Sequence, residues 1–251
     1  LDEEEIGLVV IKSQGDAQAI AAYEQFMLAN QQHWFVKEVI LKMARTLRRL
    51  DLTAKSFFAV ADEQSAFHGF FLEVALACDR IYLLNDEEKP VTLGVGPMSN
   101  GLLPMPNGLT RLQSRFQNDP EHAREMAKNP KVYAASEADA AGLCTVAADA
   151  IDWDDEIRLG IEGRLALSPD ALTGMESSLR FAGGETCDSK IFGRLSAWQN
   201  WIFIRPNAVG ETGALTAYGK TEGPKFDWRR TYCQRMATPP AFPTKWIWHP
   251  I

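Results

Sequence analysis

The chain has 251 residues and a formal net charge of -7, from 33 Asp and Glu against 26 Lys and Arg, with 46% hydrophobic and 24% charged residues. That length and balance suit a sizeable core, while the acidic excess argues against a nucleic-acid surface, which needs clustered cations to offset phosphate. No apolar run approaches the roughly 20 residues of a membrane helix, and the acidic start LDEEEIG is unlike a secretory leader, so a soluble, cytoplasmic chain is expected.

Gly7 to Ile11 (GLVVI) is rich in β-branched residues and reads as a short buried strand. Gly15 and Asp16 follow as a turn and cap for a helix from Ala17 to Leu28. Between Trp34 and Leu50, apolar residues recur at 35, 36, 39, 40, 43, 44, 47 and 50, the spacing of a helix with one buried face. Lys42, Arg45, Arg48 and Arg49 fall on the opposite face and read as solvated rather than as a phosphate site. Ser56 to Val60 and Arg80 to Leu84 read as strands flanking FHGFFLEVALACD, where Gly69 makes a turn into an amphipathic helix carrying Glu73. Strand, helix and strand at this spacing imply a crossover and a largely parallel pairing.

From Val91 to Leu112, four glycines and three prolines break up any long regular element and predict a loop system walling a pocket or an interface. Helical character resumes at Asn118-Asp119-Pro120, with one short strand at Thr145 to Ala147. Helices are then predicted at Asp154 to Leu167, Pro169 to Phe181 and Asp188 to Phe203, with Ser168-Pro169 as a cap and first-turn proline. The Gly-, Pro- and aromatic-rich tail from Arg205 is expected to wrap a surface. This divides the chain into an α/β core over 1–150 and a helical region with an extended tail over 151–251.

Cys78, Cys144, Cys187 and Cys233 lack close CxxC spacing and read as reduced, buried thiols. Asp152, Asp154, Asp155 and Glu156 have no histidine beside them, so a capped, solvated helix start is expected and no metal site. His68 reads as an ordinary turn histidine, although its position would also allow a base near neutral pH. Trp198, Trp201 and Phe203 read as a rigid aromatic interface rather than a ligand box.

Three stretches together resemble the crotonase (enoyl-CoA hydratase and isomerase) superfamily: EVALACD at Glu73 to Asp79 behind Gly69, GLLP at Gly101 to Pro104 followed by NGLTRL at Asn107 to Leu112, and SEADAAGLCTVA at Ser136 to Ala147. They cover the central third of the chain. The resemblance implies an α/β fold of the ClpP/crotonase type, a spiral of strand-strand-helix repeats with a helical carboxy-terminal part. It also implies a CoA-thioester substrate and no cofactor. In this family two backbone N–H groups hold the thioester oxygen, and one or two carboxylates move protons or activate water.

By resemblance, Glu73 stands at the first glutamate, and Gly69 and Phe70 stand at the oxyanion turn. Phe70 and Phe71 replace glycines there, and Pro97 occupies the second glutamate's position. The upstream donor loop is expected to be absent, because the helix ending at Leu50 runs almost directly into the strand at Ser56. Glu73 is therefore expected to be vestigial.

Over most of its length the chain also resembles the carboxy-terminal half of the benzoyl-CoA-dihydrodiol lyase family, through HWFVKEVILKMARTLRRLD, SPDALTGMESSLRFAG and above all SAWQNWIFIRPNAVG. The stretch from Cys233 to Ile251 has no counterpart in that resemblance. Those lyases serve aromatic (benzoate) catabolism and contain two crotonase-like halves. The resemblance implies a non-catalytic half, inactive alone, whose partners are an amino-terminal catalytic half or chain, an acyl-CoA and a second copy in a homodimer. The chain begins at Leu1 rather than Met, as expected of a fragment or subunit. Rival readings are a stand-alone hydratase or isomerase using Glu73, and a purely structural subunit of this fold.

Overall fold

The computed structural model describes residues 6–181 and 183–228. Four parallel strands, β1 (Leu8–Lys12), β2 (Ser56–Ala61), β3 (Arg80–Leu84) and β6 (Val146–Ala148), form a sheet in the order β1-β2-β3-β6. β4 (Thr92–Gly94) and β5 (Val132–Ala134) pair antiparallel in a small second sheet, inside and beyond the turn-rich segment. Their three-residue length explains why no alternating pattern announces them.

All six residues of β2 are buried, because both faces of the sheet are covered. Phe57, Ala59 and Ala61 enter the main core with Ile81 and Leu83, whereas Phe58 and Val60 face the other way with Tyr82. That second layer is closed by Trp153, Ile157 and Ile161 of helix α7 (Trp153–Leu165).

Helix α1 (Ala17–Ala29) is capped by Asp16, whose side chain accepts the Gln18 N–H at 2.8 Å. Helix α2 (Trp34–Asp51) buries Val36, Ile40, Ala44 and Leu47, a stripe inside the predicted one, against Met27, Met98 and Leu103. Phe35 stays exposed, so the stripe is narrower than its sequence pattern. Of the basic face, Arg48 turns inward enough to donate to the Pro104 carbonyl at 3.1 Å.

A single 3-10 turn at Gly69–Phe71 leads into α3 (Leu72–Leu76), and a second at Pro97–Ser99 follows β4. Then come α4 (Arg111–Arg115), α5 (Pro120–Lys128) and α6 (Ala135–Ala140). α4 starts with a capping box: Thr110 Oγ1 accepts the Gln113 N–H, and Gln113 Oε1 accepts the Thr110 N–H.

Helix α8 (Pro169–Leu179) starts as predicted, with Ser168 accepting the Ala171 N–H at 3.0 Å. The helix predicted from Asp188 to Phe203 consists of α9 (Cys187–Lys190), a π-turn at Ile191–Leu195 and α10 (Ser196–Phe203). Trp198 and Ile202 of α10 pack on Gly174 of α8, where no Cβ stands in the way. Trp198 meets Trp201 edge-on at 5.3 Å, and the Arg205 guanidinium lies 4.3 Å from the Trp201 ring, as an aromatic interface requires.

Beyond Arg205 the chain adds α11 (Pro206–Val209) and α12 (Ala214–Ala217) and then folds back. Asn207 and Asp227 exchange two hydrogen bonds, and the Trp228 ring lies over Gly7 at the start of β1. The tail thus wraps the sheet edge to residue 228. Its last segment, with Cys233, lies outside the described residues. No helix among the described residues is long and apolar enough to cross a membrane.

Candidate functional site

Parallel pairing brings the carboxy-terminal ends of β1, β2 and β3 to one edge of the sheet, and the segments that follow those ends meet there. The loop after β1 stands beside the stretch that leads into the turn at 69: Ser13 Oγ accepts the Ala66 N–H at 3.0 Å and lies 3.1 Å from Ser65 Oγ. The expectation that no upstream loop exists is therefore corrected. The loop belongs to β1, two helices earlier in sequence, and parallel pairing places it at the site.

Gly69 has φ +53, a left-handed conformation that favours glycine, and a side chain there would overlap the carboxylate of Glu24. Phe70 N–H finds no acceptor among the described residues. The Phe70 ring packs into the cluster of α2, Met98 and Leu103, and Phe71 points outward. His68 is buried, and its Nε2 lies 3.1 Å from Thr92 Oγ1. Burial lowers its pKa, which keeps the ring neutral and fits the structural role expected of it.

Glu73 is 1% exposed. Its Oε2 accepts from Arg111 Nη1 at 3.1 Å, and the same guanidinium donates to the Leu103 carbonyl at 2.8 Å and to Asp51 Oδ2 at 2.6 Å. Two buried carboxylates thus share one buried guanidinium. Burial pushes both Glu73 and Asp51 upward, with Arg111 opposing the shift in each case. Ser99 Oγ, close to the second-glutamate position, and Glu73 Oε1 are both buried without a hydrogen-bond partner among the described residues. Met98 N–H donates to Glu24 Oε1 at 2.9 Å, so a third carboxylate, from α1, stands in the same neighbourhood and within electrostatic reach of Glu73.

No protein-family model matches the chain. It is 46% identical over 227 residues to benzoyl-CoA-dihydrodiol lyase of Aromatoleum evansii, an alignment covering 90% of this chain and 41% of that protein. Among solved structures, an enoyl-CoA hydratase/isomerase family protein from Hyphomonas neptunium aligns with TM-score 0.65 at 17% identity, over 90% of this chain and 82% of its own. An enoyl-CoA hydratase/isomerase from Cupriavidus metallidurans aligns with TM-score 0.62 at 14% identity, over 93% and 83%. The chain is a crotonase-fold relative of benzoyl-CoA-dihydrodiol lyase. It spans about two fifths of that lyase's length.

A crotonase-type centre needs two free backbone donors and at least one carboxylate able to reach substrate. In this crotonase-fold chain Phe70 N–H is available in geometry, Glu73 is held by Arg111, and position 97 is proline. Arg111, Asp51 and Glu24 escaped the sequence reading. Ile20, Glu24 and Met27 are the three buried residues of α1, so Glu24 lies on that helix's apolar stripe, and this spacing was the available signal.

A second buried network ties the crotonase core to α8. Arg180 donates to Glu176 Oε2 at 3.1 Å and to Asp79 Oδ1 at 3.3 Å, while Asp79 Oδ2 accepts the Phe57 N–H and Glu176 Oε1 accepts from Ser56 Oγ, each at 2.6 Å. Burial, the charge of Asp79 and a hydrogen bond with it push Glu176 from 4.5 up to about 7, so the Asp79–Glu176 pair holds a proton near neutrality. The folded pKa exceeds the unfolded one, so this contribution is full below about pH 4.5 and is lost as pH rises through about 7. The contribution of Glu176 to stability is therefore expected to fall by about 3 kcal/mol between acid and alkaline pH. Urea midpoints at several pH values check this, and Glu176→Gln should flatten the profile; a midpoint that rises with pH refutes it.

Cys78 and Cys144 are buried; burial raises both thiols, Cys144 to about 11. Cys187 is exposed, contrary to the expectation of burial, because α9 begins at the surface. Asp155 pairs with Arg158, and the start of α7 is solvated. The expected cap is not made: Asp152 stands at the N-cap position without a side-chain hydrogen bond to the helix, and Asp149 closes the turn before it by accepting the Ile151 and Asp152 N–H groups. Among the described residues, no three His, Cys, Asp or Glu are grouped to hold a metal ion.

Proposed function

We propose that this chain is the carboxy-terminal, non-catalytic half of a benzoyl-CoA-dihydrodiol lyase-like enzyme. The whole enzyme would open the ring of the 2,3-epoxide of benzoyl-CoA with two waters, or of its dihydrodiol with one, to a dehydroadipyl-CoA semialdehyde and formate. The 46% identity to the Aromatoleum lyase supports the substrate class, and 41% coverage of that protein leaves room for a catalytic part outside this chain.

The observation that carries the non-catalytic reading is the commitment of Glu73. A general acid or base must exchange protons with substrate, whereas this carboxyl is fully buried and held by the Arg111 guanidinium. The companion carboxylate is replaced by Pro97, and Phe70 fills space beside the turn. In this reading the chain supplies architecture, a surface for the amino-terminal catalytic half, and the homodimer contact.

Assays of the chain alone and of the whole lyase test the proposal. The chain alone is expected to neither hydrate nor isomerise an enoyl-CoA. In the whole enzyme, Glu73→Gln is expected to leave turnover within about twofold, whereas amidating a working acid-base residue costs on the order of a hundredfold or more. Hydration by the isolated chain that disappears in the Gln variant would overturn the reading.

A further inference from the structure

The space between the turns at 69–71 and 97–99 is filled by a carboxylate from a distant helix. Glu24 is 2% exposed, and its Oε1 accepts the Met98 N–H. Its Oε2 lies against both Gly69 and Gly96, so that a Cβ on either residue would overlap it. The two glycine faces also approach one another: a Cβ on Gly96 would meet the Gly69 Cα. The cleft therefore has backbone walls, one backbone N–H donor at its base and room for a planar carboxylate between the walls. Ionised groups are rarely placed in such a space without a recognition geometry, because desolvation without partners is costly.

We infer that these turns form a carboxylate-binding hole whose occupant is the chain's own Glu24, and that the hole accepts a free small carboxylate when that side chain is removed. Glu73 lies within electrostatic reach, and its charge raises the Glu24 pKa alongside burial, while the Met98 N–H opposes the shift. The occupant thus sits within electrostatic reach of the residue at the family's acid-base position. The inference holds whichever substrate the larger protein acts on.

Truncation of glutamate to alanine removes the γ-methylene and the carboxylate, a fragment with the shape of acetate. Glu24→Ala is expected to melt below the parent chain and to gain about 3 °C in roughly 100 mM sodium acetate relative to equimolar chloride, saturably and more near pH 5 than near pH 7, because a site that raises the Glu24 pKa favours the protonated acid. The parent chain and Glu24→Gln, whose holes are filled, should show no such gain. If Glu24→Ala is unfolded in chloride, the folded fraction measured by circular dichroism should rise with acetate. Equal responses to acetate and chloride, an unfolded variant that acetate does not recover, or an equal acetate gain in Glu24→Gln would each overturn the assignment. None of these outcomes bears on the activity assays above, so the two readings fail separately.

Discussion

Replacing Arg111 by methionine is expected to destabilise the chain by about 3 to 5 kcal/mol, the cost of leaving buried charge uncompensated. Arg111, Asp51 and Glu73 have side chains 1%, 3% and 2% exposed, so no solvent replaces the guanidinium for either carboxylate. The lost contacts also include the Leu103 carbonyl, which anchors the segment between the turn at 97–99 and α4. The loss should shrink in acid, because burial already raises both carboxyls and protonation relieves the uncompensated charge. Arg111→Lys keeps the charge but not the fork that reaches two carboxylates, and should lie between parent and methionine variant. Urea unfolding at two pH values measures all of this. A methionine variant within about 1 kcal/mol of the parent would mean that the triad contributes little.

The central strands are legible because they are short apolar runs buried on both faces: RIYLL spans β3 to the residue, and SFFAV falls one residue short of β2, whereas β1, read as buried, is an edge strand with no buried residue. The strongly amphipathic α2 is legible to within one residue for a different reason, the helical period of its one buried face. β4 and β5 were not legible, since three residues carry no usable period and their pairing joins segments almost forty residues apart. The site was half legible. Glu73 and the glycine turn follow from local spacing, but the groups that decide what Glu73 can do arrive from α1, the end of α2 and the start of α4. Two of them stood in view as anomalies: Glu24 in an apolar stripe and Arg111 within an otherwise assigned motif. The upstream loop is not legible because the segment just before β2 holds no such loop; it follows β1, and parallel pairing brings that distant segment beside Ser65 and Ala66.

Arg180→Met is expected to be the second severe substitution, and its cost should rise with pH, as for a surface pair lost to protonation at low pH, but through a window near neutrality. Arg180 is the residue through which α8 grips the core, donating to the carbonyls of Leu50 and Lys55 as well as to Asp79 and Glu176. Near pH 5.5 Glu176 holds its proton, so removal of the guanidinium leaves a single negative charge on the pair. As pH rises through about 7 the parent's Glu176 gives up its proton beside Arg180, whereas without the guanidinium the pair has no cation to offset that second charge, so the cost should rise toward about 3 to 5 kcal/mol. Pairing the substitution with Glu176→Gln removes one of the two charges and should recover part of the alkaline loss without changing the acid value much. The measurement is a set of urea midpoints for the two single variants and the double variant at both pH values. A cost that is independent of pH would show that Arg180 acts through the two carbonyls alone and that the shared proton lies elsewhere.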